Sequence, residues 1–210
     1  HGIDALIEKA NAKDGEFYKA VSISLEGVKI LINRYLELIG EQKKNCNSER
    51  SEQLELLENS LKNISSKGAE NLYEALQLYI LLWEIMCLEQ APNPYAFSLG
   101  NADRIFEPYC KDVSREKAAE LFKHFLVFYN VGDRSWAISQ NVLVGGRDIG
   151  CNDLSNKMTY AIMDAYFDMN LPQPILSVKL HKNTPQKMYE EMGKFFFTPG
   201  VLTPSLFNDD

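Results

Sequence analysis

The chain has no run of Lys or Arg, no paired or clustered cysteines, no phosphate-binding glycine fingerprint and no long apolar stretch. Each absence removes a class of function. Lys and Arg number 22 against 29 Asp and Glu, a formal net charge of -7, whereas a nucleic-acid or anionic-membrane protein needs a basic face. No nucleic-acid and no membrane partner is therefore expected. Cys46, Cys87, Cys110 and Cys151 lie far apart, without CxxC or Cys/His grouping, which fits neither a zinc site nor a dense disulfide framework. No metal site is expected, and the thiols read as reduced groups of a cytoplasmic protein. The Asn63-Ile64-Ser65 sequon then reads as a chance match. The opening residues are mixed and charged, unlike a signal peptide. The most apolar run, Ala75 to Leu88, is broken by Gln77 and Glu84 and is too short to span a bilayer, so a buried helix is expected. Gly145-Gly146 belongs to neither GxGxxG nor GxxxxGK[ST].

What is present is a soluble-type composition, 45% apolar and 24% charged over 210 residues, enough for one sizeable domain with a core. Apolar residues at Phe17, Val21, Leu25, Val28, Ile32, Tyr35 and Ile39 have helical spacing. Gly40 and the polar residues 41–53 mark a loop, and a shorter helix is expected over Gln53 to Ile64. Asn71 to Glu89 reads as a helix buried on several sides, broken by Ala91-Pro92-Asn93-Pro94. Ser114 is placed to cap the helix that follows, with Glu116 in its first turn. After Trp136 the pattern changes. Val142 to Val144 with Asn141 reads as a strand, 145–153 as a glycine-rich loop, Asn156 to Met169 as a helix and Ile175 to Leu180 as a second strand. Thr184 is expected to cap a helix with Pro185 at its first position, running to about Phe197; 198–210 reads as a loop and a third strand. The fold class is thus α/β: a helix-rich N-terminal half followed by βαβαβ units with parallel strands. One partial domain, 1–210, is expected, with 1–135 mainly helical and 136–210 built of strand–helix repeats.

In parallel α/β folds, functional groups gather at the carboxyl ends of strands, where Lys179, His181 and Asn183 fall. Along the second strand Ile175, Ser177, Lys179 and His181 alternate with Leu176, Val178 and Leu180. Two readings stay open on pattern alone: a polar face turned into a barrel lumen, or a half-exposed strand wetted on that face.

Several separate stretches carry a resemblance. LPQPILSVKLHKNTP (171–185), preceded by SWAISQNVLVGGRDIGCNDLSN (135–156) and followed by PSLFNDD (204–210), resembles the glycyl radical enzymes of the pyruvate formate-lyase family, and among them the diol dehydratases and C–N lyases. LYEALQLYILLWEIMCLE (72–89), SLGNADRIFEPYC (98–110) and FYKAVSISLEGVKILINRY (17–35) are similar to further stretches of that family, in the expected order. The resemblance implies part of a ten-stranded α/β barrel. It also implies a small-molecule substrate attacked by a cysteine thiyl radical. A glycyl radical would be installed by a partner activase that uses S-adenosylmethionine and an iron–sulfur cluster, with no cofactor bound by the enzyme itself. The barrel would hold the reacting atoms in register and exclude water.

The resemblance covers the middle of the family pattern. Neither its Gly-Cys-Val-Glu thiyl loop nor its Arg-Val-x-Gly radical motif occurs in the 210 residues. No catalytic residue is assigned here, and Cys151 falls where the family carries glycine. The expectation is a fragment of a glycyl radical lyase or dehydratase, inactive alone. The alternative is a non-catalytic truncated homologue that binds a partner. Open strand edges would lead a free fragment to self-associate as a homo-oligomer. The resemblance makes Ser98, Asp103, Trp136, Gln140, Asn141, Ser177, Lys179, His181 and Asn208 candidates to line a pocket, with Asn208-Asp209 buttressing a cysteine loop. Asp103 with Arg104, like Arg147 with Asp148, reads as a buried ion pair or as part of a substrate-facing polar set, and structural pairing is the commoner case. Residues 89–98 replace a family turn, Asn101 an Arg and Arg104 a Gln, so substrate specificity does not carry over.

Overall fold

The computed structural model describes residues 2–89, 98–132 and 140–210. Trp136, the Ala91 to Pro94 break and most of the substituted 89–98 turn lie outside the described residues. The chain forms two compact units, His1–Leu78 and Tyr79–Asp210.

The first unit is helical, with α1 (Ile3–Asn11), α2 (Glu16–Lys43), α3 (Ser48–Ser66) and the opening turns of α4 (Leu72–Glu89). Ile3, Ile7 and Ala10 of α1, Val28, Ile32 and Ile39 of α2, and Leu54, Leu61 and Ile64 of α3 are buried, each set at helical spacing. The sequence reading missed α1, a short helix without a side-chain cap. It also placed the start of α3 too late. Asn47 Oδ1 accepts the Arg50 N–H at 2.9 Å, a side-chain cap that starts the helix at Ser48 and reduces the expected loop to 44–47.

The second unit holds the rest of α4, then α5 (Ala102–Phe106), a 3-10 turn (Glu107–Tyr109), α6 (Arg115–Gly132), β1 (Asn141–Gly145), α7 (Lys157–Met169), β2 (Ile175–Leu180), α8 (Gln186–Phe197) and β3 (Ser205–Asn208). The strands form one parallel sheet in the order β1-β2-β3, with Val142 opposite Leu176 and Val178 opposite Leu206. Val142, Val144, Leu176 and Val178 are buried together with Phe106, Phe122, Phe125 and Tyr129, whose rings pack at centroid distances from 4.9 to 6.3 Å. Neighbouring aromatic rings at this spacing favour tilted and edge contacts.

Local chemistry fixes the helix starts. Ser114 Oγ accepts the Lys117 N–H at 3.2 Å, and the Glu116 carboxyl is held below its usual range by its own backbone N–H and by the Ser114 hydroxyl. Asn156 caps α7 reciprocally. Its Oδ1 accepts the Met158 and Thr159 N–H groups at 2.8 and 3.2 Å, while Thr159 Oγ1 accepts the Asn156 N–H at 2.9 Å. Asn156→Ala is expected to cost about 1 kcal/mol, a fall of roughly 2–4 °C in a thermal melt. The expectation for α8 is corrected. Pro185, in extended conformation, is the cap, and Thr184 turns back to accept the His181 N–H at 2.8 Å. The hydroxyl thus closes the turn after β2, and a donor that proline lacks is never required.

Arg115 ties three helices together. Its guanidinium donates to both Asp164 oxygens at 2.6 and 2.7 Å and to both Glu191 oxygens at 2.8 and 3.0 Å. That fork holds the Glu191 carboxyl down to about 2, chiefly through the Arg115 hydrogen bonds. A depressed folded value means the stabilisation is full above the unfolded value near 4.5 and is lost as pH falls through about 2. Melting temperature should therefore drop across that window, and Glu191→Gln should flatten the slope.

Candidate functional site

Asp103 and two glycines organise the carboxyl end of β1. The Asp103 side chain is buried. Its Oδ2 accepts the Gly145 N–H and the Thr159 hydroxyl, both at 2.7 Å, and its Oδ1 accepts the Arg104 N–H at 2.9 Å. Burial pushes its pKa up, and the three donors pull it back only in part. One carboxylate thus joins α5, the end of β1 and the start of α7. Arg104 adds a hydrogen bond to the Gly145 carbonyl at 2.9 Å.

Gly145 and Gly146 have φ of +74° and +90°, a region that favours glycine. Gly146 donates to the Lys179 carbonyl at 3.0 Å, and its bare Cα leaves room for the Asp209 carboxylate and the Arg104 guanidinium. Asp209 is a hub. Its carboxylate pairs with Lys179 and accepts the Arg147 N–H at 2.9 Å, its carbonyl accepts Arg147 Nε at 2.5 Å, and its N–H donates to the Leu180 carbonyl at 2.8 Å. The ends of all three strands are thereby clasped together.

The loop after Gly146 folds back on the same end. His181 is buried, with Nε2 3.1 Å from Asp153 Oδ1, while its Nδ1 accepts the Asn183 N–H at 3.3 Å. Nδ1 therefore carries no proton and Nε2 is the donor. Ser155 donates to Asp153 through N–H and hydroxyl, both at 3.1 Å. Cys151 has φ +63°, which accounts for glycine suiting this position. Its thiol accepts from Arg147 at 2.9 Å and its carbonyl from Asn183 at 3.0 Å. Asn208 Oδ1 accepts the Asp210 N–H at 3.2 Å.

Ser98, Asn141 and Ser177 meet at the opposite, amino end. Ser98 Oγ donates to the Asn141 carbonyl at 3.2 Å and Asn141 Nδ2 to Ser177 Oγ at 2.8 Å. Ser177 is buried on the polar face of β2, while Ile175 and Lys179 on the same face are half-buried. Gln140 sits here too, but its side chain turns the other way, to Tyr129 of α6. The candidates therefore separate into three groups. Asn141, Ser177 and Lys179 share one face of the sheet, Asp103, His181 and Asn208 lie at its carboxyl end, and Gln140 points into the helix layer. Thr159, Asp153 and the full reach of Asp209 were not singled out by the sequence; the Asn156-x-x-Thr159 spacing was the available signal for the first.

Two clefts flank the sheet. One of about 360 Å³ is lined by His181, Lys182, Tyr189, Phe207, Asn208 and Asp210. The other, of about 250 Å³, lies at the amino end beside Tyr166, Pro174, Phe195 and Leu202. Among the described residues, no group of three or more His, Cys, Asp or Glu is placed to hold a metal ion, and no helix is long and apolar enough to cross a membrane.

A family model described as pyruvate formate lyase-like matches residues 1–210. The chain belongs to this family. It is 26% identical over 228 residues to the (2S)-3-sulfopropanediol dehydratase of Klebsiella oxytoca, with 97% of this chain matched to 27% of that protein. To the isethionate sulfite-lyase of Oleidesulfovibrio alaskensis it is 25% identical over 232 residues, covering 100% of this chain and 27% of the relative. The crystal structure of a glycyl radical enzyme from Archaeoglobus fulgidus matches with a TM-score of 0.86 at 23% identity, over 100% of this chain and 30% of that one. This pyruvate formate lyase-like chain therefore spans about a quarter of the length of the curated relatives it matches. Its helix-rich α/β architecture with a parallel sheet is that of the glycyl radical enzyme fold.

Proposed function

We propose that these 210 residues form part of the barrel wall of a glycyl radical dehydratase or lyase, which acts on a small polar substrate by thiyl hydrogen abstraction. The observation that carries this reading is the polar face of a parallel sheet, Asn141, Ser177 and Lys179, set against an apolar face packed on helices. Names among the relatives, a sulfopropanediol dehydratase and isethionate sulfite-lyases, support small hydroxylated substrates. In this reading 1–210 is one partial domain, mainly helical over 1–135 and built of strand–helix repeats over 136–210. Asn141, Ser177 and Lys179 line the substrate side, and Ser98 holds Asn141 in place. Asp103, Asn208 and Asp209 position backbone rather than touch substrate. The thiyl cysteine and the radical glycine belong to loops outside these residues. The glycyl radical is installed by an activase that uses S-adenosylmethionine and an iron–sulfur cluster and passes to that cysteine, and these residues alone do not turn over.

Anaerobic purification of the native protein, with its intact mass and its electron paramagnetic resonance spectrum after activation, tests this. A mass well above 23.9 kDa with a glycyl radical doublet is expected. A native mass equal to that value and no radical signal would sink the enzyme reading. In the active enzyme, Ser177→Ala should lower kcat/KM by about tenfold, the loss of one hydrogen bond in a closed site.

A further inference from the structure

On the polar face of the sheet, Asn141 uses only half of its amide. It is anchored from two sides: Ser98 Oγ donates to its carbonyl at 3.2 Å, and its Nδ2 donates to Ser177 Oγ at 2.8 Å. Ser98 Oγ also accepts the Gly100 N–H at 3.2 Å. That segment lies along β1, where the Leu143 N–H donates to the Gly100 carbonyl at 3.2 Å. The other amide atom of Asn141 has no partner among the described residues. Asn141 is half-buried whereas Ser177 is 1% exposed, so a ligand on this face meets Asn141 first. Ile175 stands opposite Asn141 in register and Leu143 follows it on the same face, both apolar and half-buried.

The Ser177 hydroxyl rotates, so it accepts from Nδ2 or donates to Oδ1 equally well. The Asn141 amide can therefore stand either way round. One orientation offers a ligand an acceptor, the other a donor. A hydroxyl group matches both. An anion matches only the donor and brings a charge that a half-buried site must balance. The cations of the sheet and its carboxyl end are already engaged: Lys179 pairs with Asp209, Arg147 donates to the Asp209 carbonyl and the Cys151 thiol, and Arg104 donates to the Gly145 carbonyl. An ammonium group matches only the acceptor, and the Asp209 carboxylate that could balance it is held by Lys179.

On the reading of this face as the substrate wall, we propose that Asn141 is a specificity-determining residue whose free amide atom pairs with an uncharged alcohol hydroxyl. The carbon bearing that hydroxyl packs between Leu143 and Ile175. Ser98 and Ser177 are positioning residues that fix the amide from its two ends. Any charged group of the same ligand lies away from this wall.

Calorimetry on the native protein before activation tests the assignment with probes that differ by one hydroxyl. Propane-1,2-diol is set against propan-1-ol and propan-2-ol, and 2-hydroxyethanesulfonate against ethanesulfonate. In at least one set the hydroxylated probe should bind about tenfold or more tightly than a deoxy counterpart, the effect of one hydrogen bond in a shielded site. Asn141→Leu should abolish that preference and leave the affinity of the deoxy counterpart unchanged. Asn141→Ala carries the same expectation should the leucine variant fail to fold. A side chain that only supported the strand would weaken both probes alike and keep their ratio. That result, or no hydroxyl preference in either set, would overturn the inference. The radical signal of the same preparation after activation reads the enzyme assignment separately. A radical without hydroxyl preference sinks the role of Asn141 alone; a native mass of 23.9 kDa without a radical sinks both.

Discussion

Asp103→Ala is expected to lower stability by about 3–5 kcal/mol, the largest loss for any polar side chain in the second unit. A thermal melt should show this as a drop of roughly 10 °C or more. The size follows from what is stranded. The Gly145 N–H, the Thr159 hydroxyl and the Arg104 N–H all point at this carboxylate, and alanine supplies no acceptor for any of them. Asp103→Asn keeps the shape but must place its NH2 where one oxygen stood. That oxygen faces two donors if it is Oδ2 and one if it is Oδ1. The amide will take the Oδ1 position, set its N–H against the Arg104 N–H, and cost about 1–3 kcal/mol. The pH dependence has a definite sign. Burial raises the folded pKa above its ordinary 3.8, so the Asp103 contribution is full below that value and is lost as pH rises through the raised one. The gap in melting temperature between the native chain and Asp103→Asn should therefore widen as pH is lowered. This is opposite to Glu191, whose contribution disappears in acid.

The two carboxylates illustrate what a sequence displays and what it hides. Helical apolar spacing announced α2, an all-round apolar run announced α4, the Ser114 and Thr184-Pro185 signals announced the starts of α6 and α8, and short apolar runs after Gln140 and Pro174 announced β1 and β2. Helix α1 has only three buried residues and α5 is a five-residue turn of helix, too short for a period to register. The glycine pair stood out in the sequence, but its neighbours did not. Asp209 lies 62 residues from the Arg147 N–H it accepts, and Thr159 lies 56 residues from Asp103. Nothing local marks such partners, because Asp and Thr in these positions look like ordinary turn and helix residues. Gln140 and Asn141 show a further limit. Adjacent in sequence and both polar, they were grouped as pocket candidates, yet strand alternation sends one to Tyr129 and the other to Ser177.

Alanine at Gly145 and at Gly146 should have unequal effects, and the inequality tests the clasp. Both positions have positive φ, which disfavours any side chain by about 1–2 kcal/mol. Beyond that, a Cβ at Gly145 would meet the Lys179 backbone oxygen at 2.9 Å. Relief requires moving β1 against β2, because the obstacle is the ladder itself. Gly145→Ala is therefore expected to cost about 3 kcal/mol or more in a denaturant melt. At Gly146 the obstacles are side-chain ends, the Asp209 carboxylate at 2.7 Å and the Arg104 guanidinium at 3.0 Å. These can turn away, but turning Asp209 releases Lys179 and the Arg147 N–H with it. Gly146→Ala should cost about 1–3 kcal/mol and bring much of the Asp209→Ala loss with it. The double variant Gly146→Ala, Asp209→Ala should then fall short of the summed single losses by about 1 kcal/mol. No such shortfall is expected when Gly145→Ala is combined with Asp209→Ala, because removing that carboxylate leaves the Lys179 carbonyl where it was. Full additivity in the first pair would mean that Asp209 does not hold the strand ends through Gly146.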